Sequence, residues 1–577
     1  MTSQTDAPAH ATEQRKSASS GRRVLVLAGI ALLAFMSLGA WAFSSPVGSS
    51  PDDRYHLASI WCDDTLGVSC EQNAEGRNLM PAALLESPCY LGSPTTSAGC
   101  QPFMDGTDPR VQADPGSDVD RNLYPGGFYT VLNLFTTDNI EVAILTMRLF
   151  NVLLFVLSGV VLWITLARRL QRTLVWTWAL TLIPLAAFLI PSTNPTSWAI
   201  VGVGMAWLAL LGYFEATGWR VYVLGALYVV LVAVATGARS DSTLFVGATS
   251  IITLFMTQAD KKTLIRRFIL PAAAGLGVIT WLIFKPGQIG IITEGFGERA
   301  QQSYPDELPW QTGVEVSTGF DWSLFWYNTW DAPALWLGMF GDYPWGALGW
   351  LDTVMPQAVT ALVTWMILGV TFIALRNAWW QKWFAAGSMI FLAWFIPVWT
   401  LQQGGHKIGE QIQPRYLIPL FIVAIGVLLL QKRSDQVLIA SRAGQVGIIV
   451  ALSIANSVAL HANTRRYTTG TVRGGIDLDY ERDWWWSSLP NFLGANALWV
   501  IGSLSFFALL WFAIRNVNSV GEPPQSHPEG LSGPEATPPP GVVLDTGSGT
   551  DTETGTNTGT KETEGKPARV RGRHSAP

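Results

Sequence analysis

Charge is scarce in this chain. Only 14% of its 577 residues are Asp, Glu, Lys or Arg, against about 25% in soluble proteins, which argues against the several soluble domains its length would allow. With 37 basic and 42 acidic residues the net charge is −5, too mild to attract nucleic acid. No G-x-x-x-x-G-K-[ST] segment is present, so no phosphate-cradling ATPase loop is encoded, and no H-E-x-x-H metalloprotease signature occurs. Gly202-Val203-Gly204 lacks the third glycine of a dinucleotide site and reads as close helix packing. What is abundant is apolar: 49% of residues are hydrophobic, with 27 Trp against 13 Tyr, and the mean hydropathy is +0.27. These features describe a polytopic membrane protein. Energy for any reaction must come from the substrate, an ion gradient or a partner.

A bilayer core about 30 Å thick takes roughly 20 apolar residues per helix. About twelve such stretches occur: Val24–Phe43, Val142–Ala167, Leu174–Ile190, Trp198–Phe214, Val221–Thr236, Thr243–Met256, Phe268–Phe284, Ala358–Leu375, Trp383–Trp399, Leu417–Leu430, Val446–His461 and Ala495–Ala513. The expected fold is an all-α integral membrane protein with about 12 transmembrane helices. Residues 21–514 form the polytopic domain, between a loose N-terminal arm (1–20) and a disordered tail (515–577) rich in Pro, Gly, Thr and Glu. Ala40-Trp41-Ala42 resembles a signal-peptidase site, but the first apolar run exceeds the usual signal core of about 7–15 residues and reads as a retained anchor.

With the N-terminus in the cytoplasm, the basic clusters beside the spans fall on the inner side: Arg168, Arg169 and Arg172; Lys261, Lys262, Arg266 and Arg267; Arg376 and Lys382; Lys432, Arg433 and Arg442. The even span count returns the C-terminus inside, so a multi-pass protein with both termini cytoplasmic is expected. Three long loops then face outward: 44–141, 285–357 and 462–494. All four cysteines (Cys62, Cys70, Cys89 and Cys100) lie in the first loop, and an even count in an exported loop reads as two disulfides. Three connectivities remain open, Cys62–Cys70 with Cys89–Cys100 being the most local. A zinc site is the alternative, against which stands the absence of C-x-x-C.

Directly after the first span comes Pro51-Asp52-Asp53-Arg54-Tyr55-His56. Two carboxylates and an imidazole at a partly desolvated membrane surface suit a proton acceptor; a solvated turn is the plainer reading. Tyr124-Pro125-Gly126 leads towards Arg148, a charge within the second span, where it needs a carboxylate or anionic ligand unless it snorkels to headgroups. Asn194, Arg239, Asp352, Arg415 and Tyr416 lie in polar breaks at the outer ends of other spans. They could line one outward-facing cavity, in which Arg239 and Arg415 would grip a phosphate. The many Trp residues near predicted interfaces, such as Trp350 and Trp484-Trp485-Trp486, read mostly as an aromatic belt.

With these segments assembled, the chain resembles the DUF2142 family of bacterial polytopic membrane proteins. Its P-D-E-P-x-H resembles Pro51–His56, and an aromatic-Pro-Pro segment resembles Tyr124-Pro125-Gly126. An Asn-Pro-Ser loop resembles Asn194-Pro195-Thr196, and G-W-L-D-T stands intact at Gly349–Thr353. Q-G-R-Y-L-L-P resembles Gln413–Pro419, and Arg-Tyr-x-x-Gly resembles Arg466–Gly470. The likeness runs in order from about residue 24 to 514. Asp53 stands where the pattern has Glu, and Arg54-Tyr55 where it has Pro-Ala; the cysteine-bearing insertion is not a general feature of the family.

The family is in turn similar to GT-C glycosyltransferases, which take sugar from a polyprenyl-phosphate donor and use an acidic residue in the first outer loop. The resemblance implies transfer to an envelope glycan, lipid or protein acceptor on the extracytoplasmic face. Asp52 or Asp53 would be the base, His56 would orient it, and Arg148, Arg239 or Arg415 would hold the leaving phosphate. A divalent cation is possible but not demanded. The rival readings are a transporter or flippase for a lipid-linked envelope precursor, and a non-catalytic assembly subunit.

Overall fold

In the computed structural model, the described residues are 9–284, 320–486 and 494–518, apart from 64, 66–69, 76, 103, 105–109, 113–123, 183, 342–345, 377, 434 and 440. The expected disordered tail beyond 518 and the whole 285–319 stretch therefore lie outside them. The first helix runs Ala9–Phe43. Residues 9–20, expected as part of a loose arm, continue it, because this Ala-, Gln- and Glu-containing stretch has no proline and no glycine before Gly21.

Among the described residues, nine helices are long and apolar enough to cross a membrane: Gly21–Phe43 (the apolar part of the first helix), Ile140–Thr165, Thr196–Glu215, Trp219–Ala238, Lys261–Phe284, Gln357–Leu375, Trp380–Gly404, Arg442–Thr468 and Ala495–Asn518. Ser240–Met256 and Pro414–Leu429 are shorter apolar helices. The third expected span is not one helix. It is divided into Arg168–Thr181 and Leu185–Leu189, because Pro184 has no N–H to give and its ring opposes the carbonyl one turn earlier. Where twelve spans were expected, the described residues hold nine long apolar helices, two shorter ones and one segment broken at Pro184.

Thr196–Glu215 is the central helix, buried on nearly every side. Its twenty residues cover about 30 Å. A Cβ at Gly202 would lie 2.7 Å from the Leu231 carbonyl, so this glycine permits the close packing that its sequence suggested. Side chains buried all round fit a helix surrounded by other helices, while the outer helices turn Leu32, Phe372, Trp365 and Trp399 outward as lipid-facing surfaces do.

The two ends of the bundle differ. At one end Arg169 bonds the Gln431 carbonyl and pairs with Glu215, Arg172 bonds the Val517 and Gln436 carbonyls, and Arg267 bonds those of Tyr213, Phe214 and Ala216. At the other end sits the segment 44–141. It holds short helices Asp53–Trp61, Ala82–Glu86 and Gly127–Asn133 and a two-stranded antiparallel ladder, Leu79–Pro81 with Arg110–Gln112. Disulfides join Cys62 to Cys70 and Cys89 to Cys100. Two expected loops begin or contain helix: Arg442–Thr468 extends past residue 462, and Trp322–Gly338 lies within 285–357.

Candidate functional site

The site begins with an exposed-backbone problem. The first helix ends at Phe43, and the carbonyls of its last turn have no helical partner. Seven successive carbonyls, from residue 42 to 48, are each met by a side chain from elsewhere. Arg148 donates to Ala42, Ser45 and Pro46 at 3.0, 2.5 and 2.7 Å. Trp486 donates to Phe43 and Asn463 to Ser44. Tyr90 and Gln101 donate to Val47, and Trp350 to Gly48. The hydrogen bonds of Arg148 thus go to backbone oxygens, with Asp53 of the first loop near enough to feel its charge, and its guanidinium is part of the scaffold. Trp350 and Trp486 are donors at fixed places as well as aromatic surface.

This lashing delivers the chain to Asp52, which adopts φ 60°, ψ 19°, a left-handed conformation uncommon for residues other than glycine, asparagine and aspartate. Behind it, Asp53 is fully buried. One of its oxygens accepts from the Ser50 N–H at 2.9 Å, the other from the Thr193 hydroxyl at 2.9 Å. Asn194 donates to the Pro51 carbonyl at 2.8 Å, and Asn151, a turn beyond Arg148, donates to Ser192. Asp53 and Asn194 thus fix the turn and leave Asp52 at its edge.

Asp52 meets Arg415 at 2.5 Å. Its side chain sits deep among protein atoms yet stays 45% accessible, while that of Arg415 is 5% accessible, so the carboxylate lines a recess into which the arginine is sunk. Arg415 also donates to the Tyr416 hydroxyl at 2.9 Å. The guanidinium carbons of Arg239 and Arg415 lie 4.6 and 4.9 Å from the Tyr416 ring centre, close enough for cation–π attraction. Arg239 is gripped by both oxygens of Asp241, at 3.0 and 2.7 Å, and reaches Thr196. On the far side His56 bonds the Tyr129 hydroxyl at 2.9 Å, with Tyr55 and Tyr124 edge-on to its ring.

Burial pushes all three titratable groups of the turn towards neutrality, but their neighbours differ. For Asp52, Arg415 foremost, with Arg239, outweighs burial and holds the carboxyl below its ordinary range. For Asp53, burial prevails over the Arg148 charge and the two hydrogen bonds, raising it to about 6. Burial drives His56 down to about 3, so the imidazole is neutral at pH 7 and can accept or donate a proton-sharing bond.

A second cluster underlies the first. Asp352, expected in the cavity, instead pairs with Arg466 at 2.6 Å, both side chains almost sealed from solvent. Arg466 also donates to the carbonyls of Tyr90, Ser93 and Thr96. The Gly349–Thr353 turn that carries Asp352 needs its glycine: φ is 61° and a Cβ would stand 2.7 Å from the Tyr467 hydroxyl. Asp52, His56, Arg239, Arg415 and Tyr416 are thus brought together; Asp53 and Asn194 stand directly behind; Arg148 and Asp352 hold the frame. The sequence reading omitted Thr193, Asp241 and Tyr129, whose roles depend on neighbours more than 70 residues away or on a pairing that Asp241 shares with any surface carboxylate. Among the described residues, no three His, Cys, Asp or Glu side chains group as a metal site.

Six segments scattered over 420 residues of sequence therefore converge at one end of the bundle, and a family comparison accounts for most of them. The DUF2142 family model, described as a predicted membrane protein, matches residues 35–424. The chain belongs to this family. As a DUF2142 protein it carries five of the six segments within the matched region, whereas Arg466–Gly470 lies beyond it. No curated protein and no solved structure matches the chain.

Proposed function

We propose that this DUF2142 protein is a GT-C-like glycosyltransferase of the inner membrane, working on the extracytoplasmic face. The observation that carries the reading is the recess at Asp52: an accessible carboxylate beside two buried arginines that flank one tyrosine ring. Sidedness is inferred from the arginine-rich end opposite the disulfide-bearing segment, with both termini on the cytoplasmic side.

In this reading the donor is a polyprenyl-phosphate-linked sugar and the acceptor an envelope glycan or lipid. Asp52 accepts the proton of the acceptor hydroxyl as its oxygen bonds to the anomeric carbon; the bond from that carbon to the phosphate oxygen breaks, and the prenyl phosphate leaves with the electron pair. Arg415 and Arg239, both buried, stabilise the developing phosphate charge. Neutral His56, buried and fixed by Tyr129, orients the Asp52 carboxylate. Asp53 is a positioning residue.

The test is Asp52→Asn in cells whose sole copy carries the change, read by envelope glycan composition. Transfer should fall about 10²–10⁴-fold at normal protein level. Unchanged glycans with normal expression would remove the enzyme reading, and protein-dependent flipping of a labelled lipid-linked sugar would favour transport instead.

A further inference from the structure

The two arginines of the recess are held differently. Arg239 has its fork closed on both oxygens of Asp241, a bidentate pairing that leaves it little freedom. Arg415 uses only one of its three nitrogens, Nη2, which serves both Asp52 and Tyr416. Its Nε and Nη1 are buried and have no hydrogen-bond partner, and the residue as a whole is only 4% exposed. A buried guanidinium with two idle nitrogens is an unusual and unfavourable arrangement. It sits against the accessible carboxylate of the molecule's turn at Asp52, whose left-handed backbone is held from behind by Asn194 and Asp53.

We propose that Asp52 is a resident anion: it occupies Arg415 until the phosphate group of an incoming substrate takes that arginine, and the exchange frees the carboxylate to act. The inference rests on the phosphate-binding half of the proposed function. A phosphate presents several oxygens and can engage a guanidinium along an edge, satisfying nitrogens that Asp52 leaves idle, while Arg239, already fixed by Asp241, supplies a second charge without exchanging partners. The base is thereby masked when no donor is bound. A ligand that must displace an internal competitor binds more weakly than the bare site would allow.

The distinguishing prediction is that removing the carboxylate tightens binding. Asp52→Asn and Asp52→Gly both suit a left-handed backbone, so neither needs the turn to refold. Binding to the purified full chain is measured with farnesyl phosphate, inorganic phosphate and, as the neutral control, farnesol. Both variants should bind farnesyl phosphate about tenfold more tightly than the unsubstituted protein, Arg415→Gln should lose that binding, and farnesol should distinguish none of them. The same gain with inorganic phosphate alone would support the exchange and assign it to a free anion rather than a lipid headgroup. Equal or weaker binding by both Asp52 variants, undiminished binding by Arg415→Gln, or no binding of either phosphate probe to the unsubstituted protein would overturn it. If the Asp52 variants bind no tighter while the unsubstituted protein transfers sugar, this inference falls and the transferase reading stands; tighter binding in a protein that transfers no sugar does the reverse.

Discussion

Two arginine–aspartate pairs stand at the same end of this bundle, one at Asp52–Arg415 and one at Asp352–Arg466, and they differ in what remains unused. In the second pair both side chains are nearly sealed, at 0% and 7% accessibility, and Arg466 also ties down three carbonyls of the disulfide-bearing segment, leaving its Nε alone without a hydrogen-bond partner. In the first, the carboxylate is 45% accessible, the backbone beneath it is left-handed, and two arginine nitrogens are idle. A closed pair of that kind has nothing to offer a substrate and a great deal to offer the fold. The open pair has the reverse character, which is why the proposed function draws on it and leaves the closed pair to the scaffold.

The comparison is broken most directly by exchanging effects between the pairs. Asp52→Asn should abolish most transfer yet cost only about 1 kcal/mol of stability, since the amide keeps an oxygen that can accept the Arg415 hydrogen bond at a half-accessible position. Arg466→Ala should do the opposite and lower stability by about 3–5 kcal/mol, because it leaves a buried carboxylate unpaired. Thermal unfolding of the purified variants in detergent checks both. A large loss of stability in Asp52→Asn, or none in Arg466→Ala, would erase the distinction. Next in size is the disulfide Cys62–Cys70, which closes a loop of eight residues at the end of the Asp53–Trp61 helix. Cys62→Ser with Cys70→Ser should cost about 2 kcal/mol and loosen the Asp52 side. The Cys89–Cys100 counterpart should loosen the segment that Arg466 binds, as hydrogen exchange in the two regions would report.

Much of this was legible in the sequence, though unevenly. Apolar runs identify spans because lipid leaves no alternative for backbone polar groups, and the Asp52–His56 turn was conspicuous as charge beside a membrane surface. Arg415 and Arg239 could be named for the same reason. The partner of Arg148 could not: it bonds carbonyl oxygens, which every residue carries, so no side-chain pattern announces them. Asp352 and Asp52 look alike as letters, and only burial separates them. Asp53 was indistinguishable from Asp52 for want of Thr193, which lies 140 positions along the chain. The break at Pro184 was visible as a proline in an apolar run, but the length of that run hid it.

Adjacent residues of the turn also give the smallest and most particular prediction. Asp53, with a folded value near 6 against about 3.9 in an unfolded chain, holds its proton more tightly when folded. Stability from this residue is therefore present at low pH and is lost as pH rises from about 4 to 6. His56 runs the other way. Its folded value near 3 against about 6.5 unfolded means that the unfolded chain takes up the proton, so stability from it is present above about 6.5 and is lost as pH falls. Between about pH 4 and 6 the two slopes, each at most about 1.4 kcal/mol per pH unit, oppose one another and leave a nearly flat contribution. Asp53→Asn should expose the His56 slope, with unfolding temperature rising across that interval. His56→Gln should expose the Asp53 slope, with unfolding temperature falling across it. Parallel profiles in the two variants would mean that burial of this turn does not set its protonation, and the contrast between a locked Asp53 and an open Asp52 would lose its electrostatic basis.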